Sequence, residues 1–285
     1  MEVKDNKYDL INWIKCQDKL HNLESPLIMG VLNVTPDSFF TASRKASFEE
    51  AMTMVHKMVK ADVDIIDVGG VSTRPNADLL SKEEETRRVL PVIEAIRKLY
   101  PNVLVSIDTF RADVARQAVS VGAHIINDVY GGSYDENMFD TVAELDVPYI
   151  LMHSRGTAAD MQSLCNYKDV VMDVCKELSQ SVQKLRSKGV KDIIIDPGFG
   201  FAKDLKQNYE LFEGMKYLKS LDCPLLIGIS RKSMIYNLLK TSSDESLIGT
   251  TVLNTVAVGR NASIVRVHDV KEAIEVRKLM TALKN

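Results

Sequence analysis

Polar side chains end seven of the eight short apolar runs in this sequence. Three of them, Asp108, Asn127 and Asp196, follow runs rich in isoleucine and valine. Each could cap the next helix, but capping alone does not explain so many. Buried carboxylate and amide groups require hydrogen-bond partners. Their acceptor-rich edges suit a flat nitrogen heterocycle that carries several N–H donors.

Positive side chains accompany the last two runs. Lys232 follows the seventh run, and Arg266 and His268 lie in the eighth. Arginine binds phosphate oxygens in pairs, whereas lysine acts as a point charge. Near the end of the first run, Asn33 and Asp37 offer oxygen ligands suited to Mg²⁺. The residues therefore predict a phosphorylated or pyrophosphorylated heterocyclic substrate, with Mg²⁺ as the cofactor.

The apolar runs themselves predict the elements that position these residues. Their valine, isoleucine and leucine content is typical of strands buried on both faces of a parallel sheet. The runs cover residues 27–33, 63–69, 103–108, 124–129, 148–153, 192–197, 224–230 and 263–268. Helical patterns lie between them, so the α/β fold we expect is a single (β/α)8 TIM barrel. An open doubly wound sheet is the competing fold, but no GxGxxG follows the first run.

Helix signals support this alternation. Ser81 and Glu84 form a capping-box pattern, and Gly122 is a typical helix stop. Asp269 is a plausible cap for the last helix. The acidic run 83–85 is predicted to be a solvated helix face.

Two regions are expected to have separate roles. Residues 1–25 are predicted to form an N-terminal extension on or near the barrel, which itself spans residues 26–285. Segments 33–45 and 69–79 are long for loops between a strand and a helix, and we expect them to close over a substrate.

Composition excludes several classes of partner. The net charge of −3 leaves no excess of basic residues for a nucleic acid. No stretch approaches the roughly 18 apolar residues of a membrane span. The four cysteines form no CxxC pair and are expected to be reduced thiols in a cytoplasmic protein.

The motifs, taken together, resemble those of the dihydropteroate synthases over about residues 26–280. They are MGVLNVTPDSF (29–39), DVGGVSTRP (67–75), SIDTFR (106–111), INDVYGG (126–132), LMHSRGT (151–157), DPGFGF (196–201), GISRKS (228–233) and IVRVHDV (264–270). The resemblance implies a pterin-binding barrel that joins 6-hydroxymethyl-7,8-dihydropterin diphosphate to 4-aminobenzoate. The products would be 7,8-dihydropteroate and pyrophosphate, in folate biosynthesis.

The resemblance also implies roles for individual residues. Asn33 would bind Mg²⁺, and Arg266 with His268 would anchor the diphosphate. The implied pterin pocket comprises Asp108, Asn127, Asp196 and Lys232, with Thr73 as a further substrate contact. The implied neighbourhood of 4-aminobenzoate, where sulfonamides compete in this family, comprises Arg74, Pro75, Phe201 and Ser230. The catalytic residues would be Asp108, Lys232 and Arg266, and the family's usual state is a homodimer.

The sequence departs from the family pattern in its two long loops. Residues 40–43 replace the usual Ser-Asp-Gly-Gly, while Val71 and Asn76 replace a glutamate and a glycine. These changes leave open a catalytically weak pterin-binding paralogue and the response to sulfonamides. A pterin-dependent methyltransferase is a further alternative, although it has no diphosphate to hold and therefore fits SRKS and RVHD less well.

Overall fold

A computed structural model describes residues 12–16, 19–34, 41–71, 80–157 and 160–283. In these segments a barrel of eight parallel strands is surrounded by helices, and a short antiparallel hairpin precedes it. The predicted TIM-barrel fold is therefore confirmed. No helix in the described segments is both long enough and apolar enough to cross a membrane.

The hairpin strands are β1 (Trp13–Cys16) and β2 (Lys19–Asn22), and the barrel strands follow in chain order. They are β3 (Leu27–Asn33), β4 (Ile65–Gly69), β5 (Leu104–Asp108), β6 (Ile125–Asp128), β7 (Tyr149–Met152), β8 (Ile193–Asp196), β9 (Leu226–Ile227) and β10 (Ile264–Val267). Their order in the sheet is β8-β7-β6-β5-β4-β3-β10-β9. The barrel closes where Ile195 N donates to Pro224 O at 2.9 Å and Ile195 bridges Leu225.

Helices cover the outside of the barrel. They are α1 (Thr41–Lys60), α2 (Lys82–Leu99), α3 (Ala112–Ser120), α4 (Met138–Leu145), α5 (Val170–Ser187), α6 (Leu205–Glu213), α7 (Met215–Leu218), α8 (Ser233–Leu239), α9 (Leu247–Gly259) and α10 (Val270–Ala282). Ser81 Oγ accepts from Glu84 N at 3.2 Å, as the capping pattern predicts. Alternate residues of the strands and the inner faces of the helices form the main core.

A second apolar layer fills the amino-terminal end of the barrel. It contains inward-facing strand residues such as Met29, Ile65 and Ile194. Ile14 and Cys16 of the hairpin pack against the same layer and are almost fully buried. This end is therefore a packed core, which leaves the carboxyl ends of the strands as the accessible end of the barrel.

Three local expectations differ from the structure. Strand β9 has two residues rather than seven, and the chain beyond it reaches a turn at Arg231, whose φ of 54° lies in the left-handed region. Asp269 precedes α10 without a capping bond, since its carboxylate binds Arg231 Nε and Nη2 at 2.9 and 2.8 Å. Glu85, predicted to lie on a solvated face, is fully buried and binds Thr109 and Arg111.

Candidate active site

Alternation along the strands turns a set of polar side chains into the barrel. In five strands, the inward residue of the apolar layer is followed two positions later by a polar residue, because every second side chain shares a face. These polar residues are Asp67, Ser106, Asn127, Asp196 and Arg266. Asp108 lies one further step toward the open end and is in register with Asn127.

Asp67 joins several of these strands. Its Oδ2 atom accepts from Arg266 Nε at 2.7 Å and from Asn127 Nδ2 at 3.0 Å. Arg266 Nη2 donates to Asp108 Oδ2 at 2.6 Å. The predicted acceptor and cationic sets are therefore not separate halves, because Arg266 lies between two carboxylates.

The sequence interpretation did not select Asp67. The motif DVGG contains it, but the second apolar run ends in glycine and therefore shows no polar strand end. A useful signal was available, since Asp67 is a carboxylate within a run of isoleucine and valine. A buried acid inside such a strand has to be paired or hydrogen bonded.

The segment after β8 brings Asp196 and Lys232 to one side of the site. Gly198 N donates to Asp196 Oδ1 at 2.8 Å, and Lys232 Nζ donates to Phe199 O at 2.6 Å. Lys232 Nζ also lies 4.8 Å from the centre of the Phe201 ring. Lys232 thus lies beside an aromatic face and interacts with the charge of Asp196.

Ser230 and His268 contact each other. Ser230 Oγ lies 3.1 Å from His268 Nδ1 and accepts from His268 N at 3.2 Å. The resemblance assigns them to different substrates, whereas here they meet where the ends of β9 and β10 adjoin.

Burial and neighbouring charges change the acidity of the site. Burial raises the pKa of Asp108 above its usual range, although Arg266 opposes the rise. Burial lowers the pKa of Lys232 to about 8, and Asp196 moderates this effect. Burial, assisted by Arg266, lowers the pKa of His268 to about 4. His268, predicted to add positive charge, is therefore neutral at pH 7 and offers a hydrogen bond instead.

Asn33 is the predicted metal ligand. It is exposed at the end of β3. A Cβ atom placed on Gly69 would lie 3.6 Å from Asn33 Oδ1 and 3.7 Å from Asp108 Oδ2, so both oxygens lie beside this glycine. Among the described residues no three His, Cys, Asp or Glu side chains converge as a metal site. Such a donor set fits Mg²⁺ only if substrate phosphates and water supply most of the ligands, which is usual for this ion.

Several predicted residues lie outside the described part of the chain. They are Asp37, Thr73, Arg74, Pro75 and Asn76, together with Phe40 among the loop departures. Val71 is described and packs against a small aromatic cluster at the open end of the barrel. The cluster consists of Phe110, Val129, Tyr130 and Met152, with Phe201 also packed against it. These side chains form an apolar wall suited to a flat ring.

A buried hydrogen-bond network holds the segment that follows β8 in place. Lys203 Nζ donates to Gly198 O and Phe201 O, both at 2.9 Å, and lies 3.1 Å from His153 Nδ1. His153 Nε2 binds Glu177, which also binds Arg155. The segment turns sharply, and a Cβ on Gly198 would lie 1.9 Å from His153 O, so only glycine fits there. Lys203 lies two residues after the DPGFGF motif and is not among the site residues predicted from the sequence.

This arrangement can bind and activate a ligand. The acids and Asn127 can hold the N–H groups of a heterocycle, and Arg266 and Lys232 can neutralise a departing anion. No acid–base–nucleophile triad is needed for such chemistry.

Comparison with known proteins gives a consistent relationship. The Pterin binding enzyme family model matches residues 29–268. The dihydropteroate synthase of Escherichia coli K12 is 40% identical over 263 residues, which cover 92% of this chain and 93% of that protein. The folic acid synthesis protein fol1 of Pneumocystis carinii is 41% identical over 90% of this chain, which spans only 36% of that longer protein.

Solved structures agree. A Yersinia pestis dihydropteroate synthase with a sulfonamide drug complex has a TM-score of 0.89 at 34% identity, over 95% of this chain and 99% of that one. A Xanthomonas albilineans dihydropteroate synthase with 4-aminobenzoic acid has a TM-score of 0.88 at 34% identity, over 96% and 98% of the two chains. The chain therefore belongs to the pterin-binding enzyme family and, within it, to the dihydropteroate synthases.

Proposed function

We propose that this chain condenses 6-hydroxymethyl-7,8-dihydropterin diphosphate with 4-aminobenzoate, giving 7,8-dihydropteroate and pyrophosphate. The observation that carries the proposal is the bonded set of Asp67, Asn127, Asp108 and Arg266, with Asp196 and Lys232 beside it. Its acceptors suit a pterin ring, and its cations suit a diphosphate. The 4-aminobenzoic acid named for the Xanthomonas relative supports the second substrate.

The reaction requires one bond to break and one to form. The C–O bond between the pterin methylene and the diphosphate breaks, and pyrophosphate leaves with the electron pair. The positive charge that develops at the methylene is stabilised by the ring and by the Asp108 carboxylate. The amine nitrogen of 4-aminobenzoate then forms the C–N bond with its lone pair and releases a proton to water.

The catalytic assignments follow from this scheme. Arg266 and Lys232 offset the charge of the departing diphosphate, while His268 adds a hydrogen bond. Lys232 lies near both Asp196 and the Phe201 ring, so it helps hold the two reactants in line. Phe201, Ser230, Arg74 and Pro75 remain our proposed neighbours of 4-aminobenzoate, with Thr73 as a further substrate contact.

Magnesium is part of the proposal. When bound, Mg²⁺ would supply charge neutralisation to the leaving diphosphate. Asn33 would hold it together with phosphate oxygens and water. Asn33→Ala should raise the Mg²⁺ concentration needed for half-maximal activity, and an unchanged requirement would remove Asn33 from the metal site.

A homodimer is proposed through the late helices. Ile248, Val252 and Val256 form a stripe on α9 with four-residue spacing, and the first two are 79% and 55% exposed. Exposed apolar stripes of this kind mark interfaces. Val252→Glu should yield monomers in sedimentation velocity, whereas Met172→Glu, at an exposed methionine on α5, should not. If Val252→Glu sediments like the unmodified chain, the stripe is not the interface.

The four cysteines are free, which fits the cytoplasmic location we propose.

The test of the main proposal is direct. Purified protein with Mg²⁺, the pterin diphosphate and 4-aminobenzoate should release pyrophosphate and form 7,8-dihydropteroate. A sulfonamide should compete with 4-aminobenzoate. Folded protein that binds pterin but releases no pyrophosphate would instead be a catalytically weak paralogue.

A further inference from the structure

We propose that Asp67 is a positioning residue that sets the hydrogen-bonding polarity of the pterin pocket. It determines which edge of Asn127 and which nitrogens of Arg266 remain for the substrate. The inference rests on the proposed function, because the substrate it concerns is the pterin diphosphate.

The geometry of Asp67 supports an indirect role. Its side chain is completely buried, and it lies two residues before Gly69, one layer below Asp108. Both of its hydrogen bonds go to residues of the site, through the single atom Oδ2. Among the described residues, no donor reaches its other oxygen, Oδ1. A buried carboxylate with one unpartnered oxygen is costly to the fold, so stability alone does not account for it.

The consequence for Asn127 is directional. A carboxylate can only accept hydrogen bonds, so the amide must turn its Nδ2 group toward Asp67. The carbonyl oxygen Oδ1 of Asn127 is then left as an acceptor for an N–H of the ligand. Without a charged acceptor at position 67, the amide could turn over with almost no change in shape, and the pocket would offer donors instead.

The consequence for Arg266 is similar. Its Nε is held by Asp67 and its Nη2 by Asp108, which fixes the plane of the guanidinium group. No hydrogen bond from Nη1 to the described residues is found, so this nitrogen can meet the substrate. Asp67 thus orients one acceptor and one cation from a single buried position.

Asp67→Asn tests the proposal, with Asp64→Asn as the matched control. Asp64 lies just before the same strand, at the opposite end of the barrel, and also pairs with an arginine, Arg277. We expect Asp67→Asn to raise the KM for the pterin diphosphate about 10-fold to 100-fold. The KM for 4-aminobenzoate should change less than about twofold. Asp64→Asn should change neither KM. Both variants lose an ion pair with an arginine, so both should have a lower melting temperature than the unmodified chain.

A double variant checks the route of the effect. If Asp67 acts mainly through Asn127, Asp67→Asn combined with Asn127→Ala should bind the pterin substrate little worse than Asn127→Ala alone. If Asp67→Asn does not fold, Asp67→Ser removes the same charge with less bulk and permits the same comparison. An unchanged KM for the pterin, or equal rises for both substrates, would overturn the proposal.

A binding assay separates this inference from the proposed function. Titration with 6-hydroxymethylpterin, followed by fluorescence, needs no turnover. Weaker binding by Asp67→Asn than by Asp64→Asn supports the inference, and equal binding contradicts it. If the unmodified chain makes no 7,8-dihydropteroate, the proposed function fails whatever this comparison gives.

Discussion

At the scale of single residues, the neighbours of a side chain decide what it can do. The sequence predicts that Arg266 binds an anion, yet its guanidinium group already lies between Asp67 and Asp108. Such an arginine can serve an anion and at the same time orient the acids that hold a ring. Its two roles can be separated by comparing ligands with and without a diphosphate.

Arg266→Ala should therefore weaken binding of the pterin diphosphate more than binding of 7,8-dihydropteroate. Both affinities should fall, because the variant leaves the two neighbouring carboxylates without the cation that orients them. Removing one partner of a buried ion pair typically also costs about 3–5 kcal/mol of folding stability. Calorimetric titration with each ligand measures the difference. Equal losses would mean that Arg266 serves the ring pocket only.

Lys232 gives a prediction about pH. Burial lowers the pKa of its ammonium group to about 8, so the charge is present below that pH and is lost above it. If that charge assists the departure of the diphosphate, kcat/KM should decline as the pH rises above about 8. Lys232→Arg should keep part of the activity and move this decline to higher pH, because arginine stays charged. A decline at the same pH in both proteins would assign the titration to another group.

At the scale of elements, the segment between β8 and α6 depends on contacts that reach other elements of the barrel. Lys203 binds two of its carbonyl oxygens, and the line of contacts continues through His153 to Glu177 on α5. Burial lowers the pKa of His153 to about 4, so the ring is neutral at pH 7. Burial alone would raise the pKa of Glu177, but hydrogen bonds from His153 and Arg155 lower it to about 2.

This network should make the fold sensitive to acid. The lowered pKa of Glu177 means that its stabilisation is present above its ordinary value of 4.5 and is lost as the pH falls toward 2. His153 acts in the same direction as the pH falls from 6.5 toward 4. Glu177→Gln should lower the melting temperature at pH 7. The difference in melting temperature between this variant and the unmodified chain should become smaller below about pH 4.5.

A surface pair provides the control for this element. Glu144→Gln breaks the exposed pair with Arg116, and exposed pairs contribute little to stability. Its melting temperature should stay near that of the unmodified chain at every pH. If the melting-temperature difference between Glu177→Gln and the unmodified chain does not vary with pH, the Glu177 carboxylate does not stabilise the fold through its charge.

At the scale of the whole molecule, the two ends of the barrel have different tasks. Apolar side chains and the hairpin fill the amino-terminal end, while the polar layer opens at the other. This division follows from the parallel arrangement, since all eight strands point their carboxyl ends the same way.

Ile14→Ala tests the division. Ile14 is almost fully buried in the apolar layer, so its truncation should cost about 2–5 kcal/mol in the free energy of unfolding. Trp13→Ala, at a 41% exposed neighbour on the same strand, should cost less than about 1 kcal/mol. Urea unfolding measures both free energies, and kcat/KM should remain unchanged because the apolar layer separates the hairpin from the polar layer. Similar costs for the two variants would show that the hairpin does not seal the core.

The sequence by itself determined the kind of fold and most of the polar layer. Apolar runs and helical spacing are local patterns, and parallel strands place their ends together, so Asp108, Asn127, Asp196, Lys232 and Arg266 could be predicted as neighbours. Only the tertiary structure decided which of them bind one another. Asp67, Lys203 and Glu85 come from a strand interior, a loop and an acidic run, and each contacts at least one residue that lies 24 or more positions away along the chain. Pairing and burial depend on such distant contacts, and they decide that His268 is neutral and that Asp269 binds Arg231 rather than capping its helix.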